Sequence, residues 1–220
     1  MNAQGQPPQA VLFDLDGVLL DSAQTIRTAL AAVATCATNR RHALASLPDA
    51  ALTQPREEVL HVLGVSNPAD ACRRWWDGAL ASSPPATFPG VLAGLQALHS
   101  AGIAVGVVTL QDRHRLDWLL PPDLSTVLDV VVTRQDAAAK PSPDGVHAAL
   151  NRLGVNHQHA LMVGDSPSDI LAACRAGVLA LAAAWGFHPP AALLSAGAQQ
   201  VLPAPSCIGR PLLEHLERRG

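Results

Sequence analysis

The sequence predicts an α/β fold: a parallel sheet covered by helices on both faces, with a helical insertion after the first strand. Three observations predict it. Short apolar runs of strand length alternate with helical patterns, the order that builds a parallel sheet. Three segments repeat one sequence of events, a helix, a glycine and an apolar strand. The stretch from Ser22 to Phe88 has helical spacing and no convincing strand.

Taken in order, the polar stretch MNAQGQPPQ (residues 1–9) is expected to be a disordered tail. It has neither the basic start nor the apolar run of a secretory signal. AVLF (Ala10–Phe13) follows as a buried strand and runs into DLDG. Residues 22–88 are expected to form a separate helical domain. Ile26, Leu30 and Val33, and then Val59, Leu60 and Leu63, fall on helical spacings, and Pro48, Pro55, Pro68, Pro84 and Pro85 punctuate the loops. The chain then returns to the first domain, expected to comprise residues 10–21 and 89–220. LAGLQALHSAGIAVGVVT, HAALNRLGVNHQHALMVGD and ILAACRAGVLALAAA each place a glycine (Gly102, Gly154, Gly177) where a left-handed helix cap belongs. A further apolar run, VLDVVVT (Val127–Thr133), precedes a loop.

Composition narrows the classes. A chain of 220 residues with 49% hydrophobic and 15% charged residues can build a core, and suits one domain with a smaller insert. A formal net charge of −3 argues against a nucleic-acid binder with a broad basic face. The longest apolar run, Ala176 to Phe187, is too short to span a bilayer, so no membrane partner is expected. Cys36, Cys72, Cys174 and Cys207 show no CxxC spacing, and a reduced, cytoplasmic protein is expected. Of the 15 basic residues 14 are arginine, and the single lysine is Lys140.

Four places carry candidate chemistry, each at the end of an expected strand or just after one, where open α/β sheets bind ligands. Asp14 and Asp16 lie two residues apart and share one side of an extended chain. Like charges so close require a shared proton or a cation, although a simple turn would also use aspartate. Thr109 ends IAVGVVT; its hydroxyl can hold a phosphate oxygen or cap a helix. Lys140 stands in AAAKPSPDG, where a lone lysine can equally be a solvated charge. Asp165 ends the run ALMVGD, Ser166-Pro167 reads as an N-cap followed by proline at the first helical position, and Asp169 lies one helical turn on. Two acids there can also serve the helix dipole alone. The nucleotide-loop, dinucleotide, zinc-protease and nucleophile-elbow motifs are absent.

Together, DLDGVLLDS (Asp14–Ser22), Thr109, KPSPDG (from Lys140) and VGDSPSD (Val163–Asp169) resemble, in order and spacing, the four motifs of the haloacid dehalogenase superfamily. The resemblance runs from about Ala10 to near Leu213. FPGV (Phe88–Val91), AWGFHPP and AGAQQVL look like the phosphoglycolate-phosphatase-like branch, with a helical cap after the first motif. The resemblance implies a Rossmann-like sheet of order 3-2-1-4-5, Mg²⁺ as cofactor and a small phosphorylated metabolite as substrate. It also implies a monomer or homodimer. It implies Asp14 as nucleophile and Asp16 as acid and base. Asp14, Asp16 (through its backbone carbonyl) and Asp165 would bind metal, with Asp169 ordering a metal-bound water or holding Lys140. Thr109 and Lys140 would hold the phosphoryl group.

In the cap, Arg40, Arg41, His42, Gln54, Arg56 and the pair Trp75-Trp76 are candidate readers of the leaving group. Arg56, in TQPREEV, matches the branch's specificity region, while the tryptophans can simply pack the cap. Leu110 departs from the family pattern, since many relatives carry a polar residue after the motif-two hydroxyl. Asp16 argues against a dehalogenase, which replaces the second aspartate. A cap without lysine argues against a phosphonate hydrolase and weakens a β-phosphoglucomutase. Retention of Asp14 and Asp16 argues against a non-catalytic phospholigand binder.

Overall fold

The computed structural model describes residues 9–209, 211, 212 and 214; the expected tail up to residue 8 and the resemblance's far end at Leu213 lie outside them. Six parallel strands form the main sheet: β1 (Ala10–Phe13), β4 (Ala104–Val108), β5 (Val130–Val132), β6 (Ala160–Gly164), β7 (Leu179–Ala183) and β8 (Gln200–Leu202), in the spatial order β5-β4-β1-β6-β7-β8. Two short strands, β2 (Leu20–Asp21) and β3 (Ala86–Thr87), make a separate pair.

The sheet needs cover on both faces because its central strand is fully apolar. All four residues of β1 are buried, and they alternate between two cores as strand geometry requires. Val11 and Phe13 join the core that contains Val91, Leu95 and Leu98 of α4 (Val91–Ser100). Ala10 and Leu12 join the core formed with Val146, Ala149 and Leu150 of α7 (Asp144–Leu153) and with Ile170, Ala172 and Ala173 of α8 (Pro167–Arg175). Gly102, Gly154 and Gly177 all adopt positive φ at the ends of the helices that precede strands or loops to them.

The sixth strand, β8, extends the expected five at the β7 edge. It has three residues and begins with Gln200, so it carries too few apolar positions to read as a strand by pattern; ladder pairing with β7 makes it one.

The chain divides into two units. One runs up to Leu20 and resumes at Thr87; the other is Asp21–Ala86. The second unit holds α1 (Ala23–Thr38), α2 (Arg56–Val62) and α3 (Pro68–Ala81), with short 3-10 turns at Leu44–Ser46 and Asp49–Leu52. Leu30, Val33, Val59 and Leu60 are buried there, as helical spacing requires, and Ile26 and Leu63 are half-buried. Trp76 is buried and its ring lies under the Arg56 guanidinium, 4.8 Å from the ring centroid. Among the described residues, no helix is long and apolar enough to cross a membrane, and the four cysteines are free thiols.

Candidate active site

Sheet register assembles the site. Phe13 of β1 pairs with Val107 of β4 on one side and Val163 of β6 on the other. The next residue along, Asp14, therefore emerges between the ends of β4 and β6, and its N–H still donates to the Val163 carbonyl at 3.0 Å. Thr109 emerges one residue beyond β4, with its N–H on the Val132 carbonyl at 2.9 Å. Asp165 emerges one residue beyond β6. Residues far apart in sequence thus meet because three parallel strands end at one level.

Lys140 holds the centre. Its side chain is 3% exposed, and its Nζ donates to Asp14 Oδ1 at 2.7 Å and to the Val108 carbonyl at 3.0 Å. Nζ also stands 2.6 Å from Asp169 Oδ1 as an ion pair. Asp169 is positioned by its own helix: Ser166 caps α8, and its N–H and Oγ donate to Asp169 Oδ2 at 3.0 and 2.7 Å, completing a capping box. The N-cap reading of Ser166-Pro167 and the role of Asp169 as a holder of Lys140 therefore coexist.

Asp165 is held from the loop after β7. The Phe187 N–H donates to Asp165 Oδ2 at 2.7 Å. Two glycines make the space for this carboxylate. A Cβ on Gly186 would stand 2.1 Å from Asp165 Cβ, and one on Gly17 would stand 2.3 Å from Asp165 Oδ2. Gly17 also has φ +78, a conformation side chains disfavour.

Charge is unbalanced in this cluster. Asp14, Asp165 and Asp169 each offer an oxygen within 4.8 Å of the others, against one ammonium. Burial, with the Asp169 and Asp16 charges, lifts the Asp14 carboxyl to about 7 despite the pull of Lys140. Some 13% of the Asp14 side chain still meets solvent, which leaves it reachable. Burial likewise raises Asp165 well above the usual carboxylate range, helped by the Asp169 and Asp14 charges and opposed by the Phe187 N–H. Burial works against charge on Lys140, but Asp14 and Asp169 outweigh it and its pKa rises. Crowded, buried, hard oxygen donors with surplus negative charge fit a small divalent cation such as Mg²⁺.

Asp16 is not part of this trio. Its half-buried carboxyl faces the loop after β4, where Gln111 Nε2 donates to Oδ2 at 2.7 Å. In the sequence Gln111 carries one signal only, its place two residues after Thr109 in the same strand-end loop. Its own N–H donates to Thr109 Oγ1 at 3.1 Å, so the buried Thr109 hydroxyl also organises this loop. Leu110, between them, is 46% exposed. Arg56 belongs to the Asp21–Ala86 unit, where it stacks on Trp76.

A parallel α/β sheet with a helical insertion after its first strand carries these carboxylates and the one lysine at its strand ends. The model of the family described as haloacid dehalogenase-like hydrolase matches residues 11–183. The chain belongs to that family. It is 34% identical over 212 residues to a phosphoglycolate phosphatase of Rhodospirillum rubrum, covering 86% of this chain and 85% of the relative. Among solved structures, a protein of Thermotoga maritima provisionally assigned as β-phosphoglucomutase is 26% identical, with a TM-score of 0.76 over 94% of this chain and 99% of its own. A provisionally assigned phosphoglycolate phosphatase of Lactobacillus plantarum is 25% identical, with a TM-score of 0.76 over 91% and 97%. The chain is thus a phosphoglycolate-phosphatase-like phosphoric monoester hydrolase.

Proposed function

We propose that the chain is a Mg²⁺-dependent phosphatase acting on a small phosphorylated metabolite through an aspartyl-phosphate on Asp14. The observation that carries this reading is the cluster in which one buried ammonium joins Asp14 to Asp169 while Asp165 completes a carboxylate trio. The identity to a phosphoglycolate phosphatase supports phosphoglycolate as substrate; a sugar phosphate or a biosynthetic intermediate has the same monoester chemistry.

Asp14 and Asp165, with the backbone carbonyl of Asp16, would hold the Mg²⁺, and Asp169 would order its surroundings through Lys140. When bound, Mg²⁺ offsets the repulsion between carboxylates and phosphoryl oxygens. In the first step an Asp14 carboxylate oxygen attacks phosphorus, the bond from phosphorus to the ester oxygen breaks, and that oxygen takes a proton from Asp16. In the second step water attacks the same phosphorus, gives a proton back to Asp16, and releases inorganic phosphate and the Asp14 carboxylate. Thr109 donates to the phosphoryl group, and Lys140 balances charge on Asp14 and on the phosphoryl oxygens. Arg56, which stacks on Trp76 within the Asp21–Ala86 unit, is proposed as a substrate-binding residue.

The experiment is phosphate release over phosphoglycolate and sugar phosphates, with Mg²⁺ and with a chelator. Turnover that needs Mg²⁺ and vanishes in Asp14→Asn supports the reading. Isomerisation of β-glucose 1-phosphate without net phosphate release would replace it with a mutase.

A further inference from the structure

We propose that Gln111 is a positioning residue for Asp16: it fixes the carboxyl by donating to Oδ2 and leaves Oδ1 to exchange the proton with substrate and water. This rests on the reading of Asp16 as acid and base given above.

The amide has one orientation because of what lies behind it. Arg115 Nη1 is 3.4 Å from Gln111 Oε1. An arginine has only donors, so the amide oxygen must face it and the amide nitrogen must face Asp16. Arg115 is itself 7% exposed, and its Nη1 pairs with Asp112 Oδ2 at 2.8 Å. Asp112 Oδ1 in turn accepts from Gln135 Nε2 at 2.8 Å, in the loop after β5. The Gln111 backbone is tied separately through its N–H to Thr109 Oγ1. Gln111 is therefore held at both ends before it meets Asp16.

A half-buried aspartyl carboxyl turns easily about its last bond, since that torsion is broad and two-fold. A donor on one oxygen settles which oxygen is free. The amide hydrogen on Oδ2 makes that oxygen the better carbonyl acceptor, so the acid form favours its proton on Oδ1. The held carboxyl then presents one defined oxygen to the ester oxygen in the first step and to water in the second.

Leaving-group chemistry tests this. An alkyl phosphate needs the proton from Asp16 as its bond breaks, whereas p-nitrophenolate leaves without one. Gln111→Leu and Gln111→Glu both remove the Nε2 donor, and the glutamate keeps an oxygen for Arg115. For phosphoglycolate or another alkyl phosphate, both variants are expected to lose about 10²-fold in kcat with KM little changed. For p-nitrophenyl phosphate the pre-steady-state burst keeps the wild-type rate, while turnover after the burst slows because water still needs Asp16. Equal loss in the burst and with the alkyl ester, or a wild-type Gln111→Glu, would overturn the proposal; circular dichroism checks that both variants fold. If wild type releases no phosphate from either ester, or Asp14→Asn remains active, it is the phosphatase reading that fails.

Discussion

Lys140 Nζ lies 2.7 Å from Asp14 Oδ1, across 126 positions of sequence. The ammonium has three hydrogens and three oxygens around it: Asp14 Oδ1, Asp169 Oδ1 and the Val108 carbonyl. A compact point charge on a thin stem faces all three, bonding Asp14 and Val108 and pairing with Asp169, in a space where 3% of the side chain is exposed.

Arginine at this position is expected to fail although it keeps the charge. Its planar fork is wider than the ammonium and cannot place donors on three oxygens grouped around one point. Lys140→Arg should fold and lose at least about 10²-fold in kcat, the scale of removing one charge-stabilising donor. Steady-state kinetics beside circular dichroism checks this; near-normal kcat would contradict it.

The surplus of carboxylates predicts a stability that follows metal. In wild type, free Mg²⁺ at a hundred times its Kd should stabilise by about 2.7 kcal/mol, a rise in Tm of roughly 5–10 °C for a chain of this size. Asp165→Asn should lose most of that rise. In chelator the same variant should match or exceed wild-type Tm, because it removes one of three crowded, buried carboxylates while Asn Oδ1 can still accept from the Phe187 N–H. Equal Mg²⁺ shifts in both proteins would count against Asp165 as a ligand.

Away from the site, Asp136 joins three elements. It accepts from Thr133 N–H at 2.8 Å, from Thr133 Oγ1 at 2.6 Å and from Arg152 Nη2 at 2.8 Å, and it pairs with Arg113. Burial opposes its charge, but these donors prevail and hold its carboxyl well below the usual range. A depressed carboxylate stabilises the fold above its unfolded pKa, and that contribution fades as pH falls below about 4. Asp136→Asn should therefore lower Tm at pH 7, and the gap to wild type should narrow in acid. A gap that stays constant from neutral to acid pH would refute the charge-based account.

Much of the site was legible because its residues interrupt strong local patterns. Asp14, Thr109 and Asp165 each end an apolar strand, Lys140 is the one lysine in the chain, and Ser166-Pro167 announces the helix that carries Asp169. The rest depends on contacts that leave no periodic trace. Gln111 matters through Asp16, 95 positions away, yet alone it reads as an ordinary polar residue before a helix. Gly186 matters because Asp165 fills the space a Cβ would take, which no local rule reveals. β8 has no legible pattern because three residues that start with Gln200 are too few to show one. The link from Asp112 to Gln135 joins two loops that only the sheet order brings together.

The most direct test of the central claim is a rapid acid quench during turnover of an alkyl phosphate, followed by mass analysis of peptides. The account predicts one phosphoryl group on the peptide that contains Asp14, formed in wild type and absent in Asp14→Asn. Phosphate release that proceeds without label at Asp14, or that survives Asp14→Asn, would contradict it.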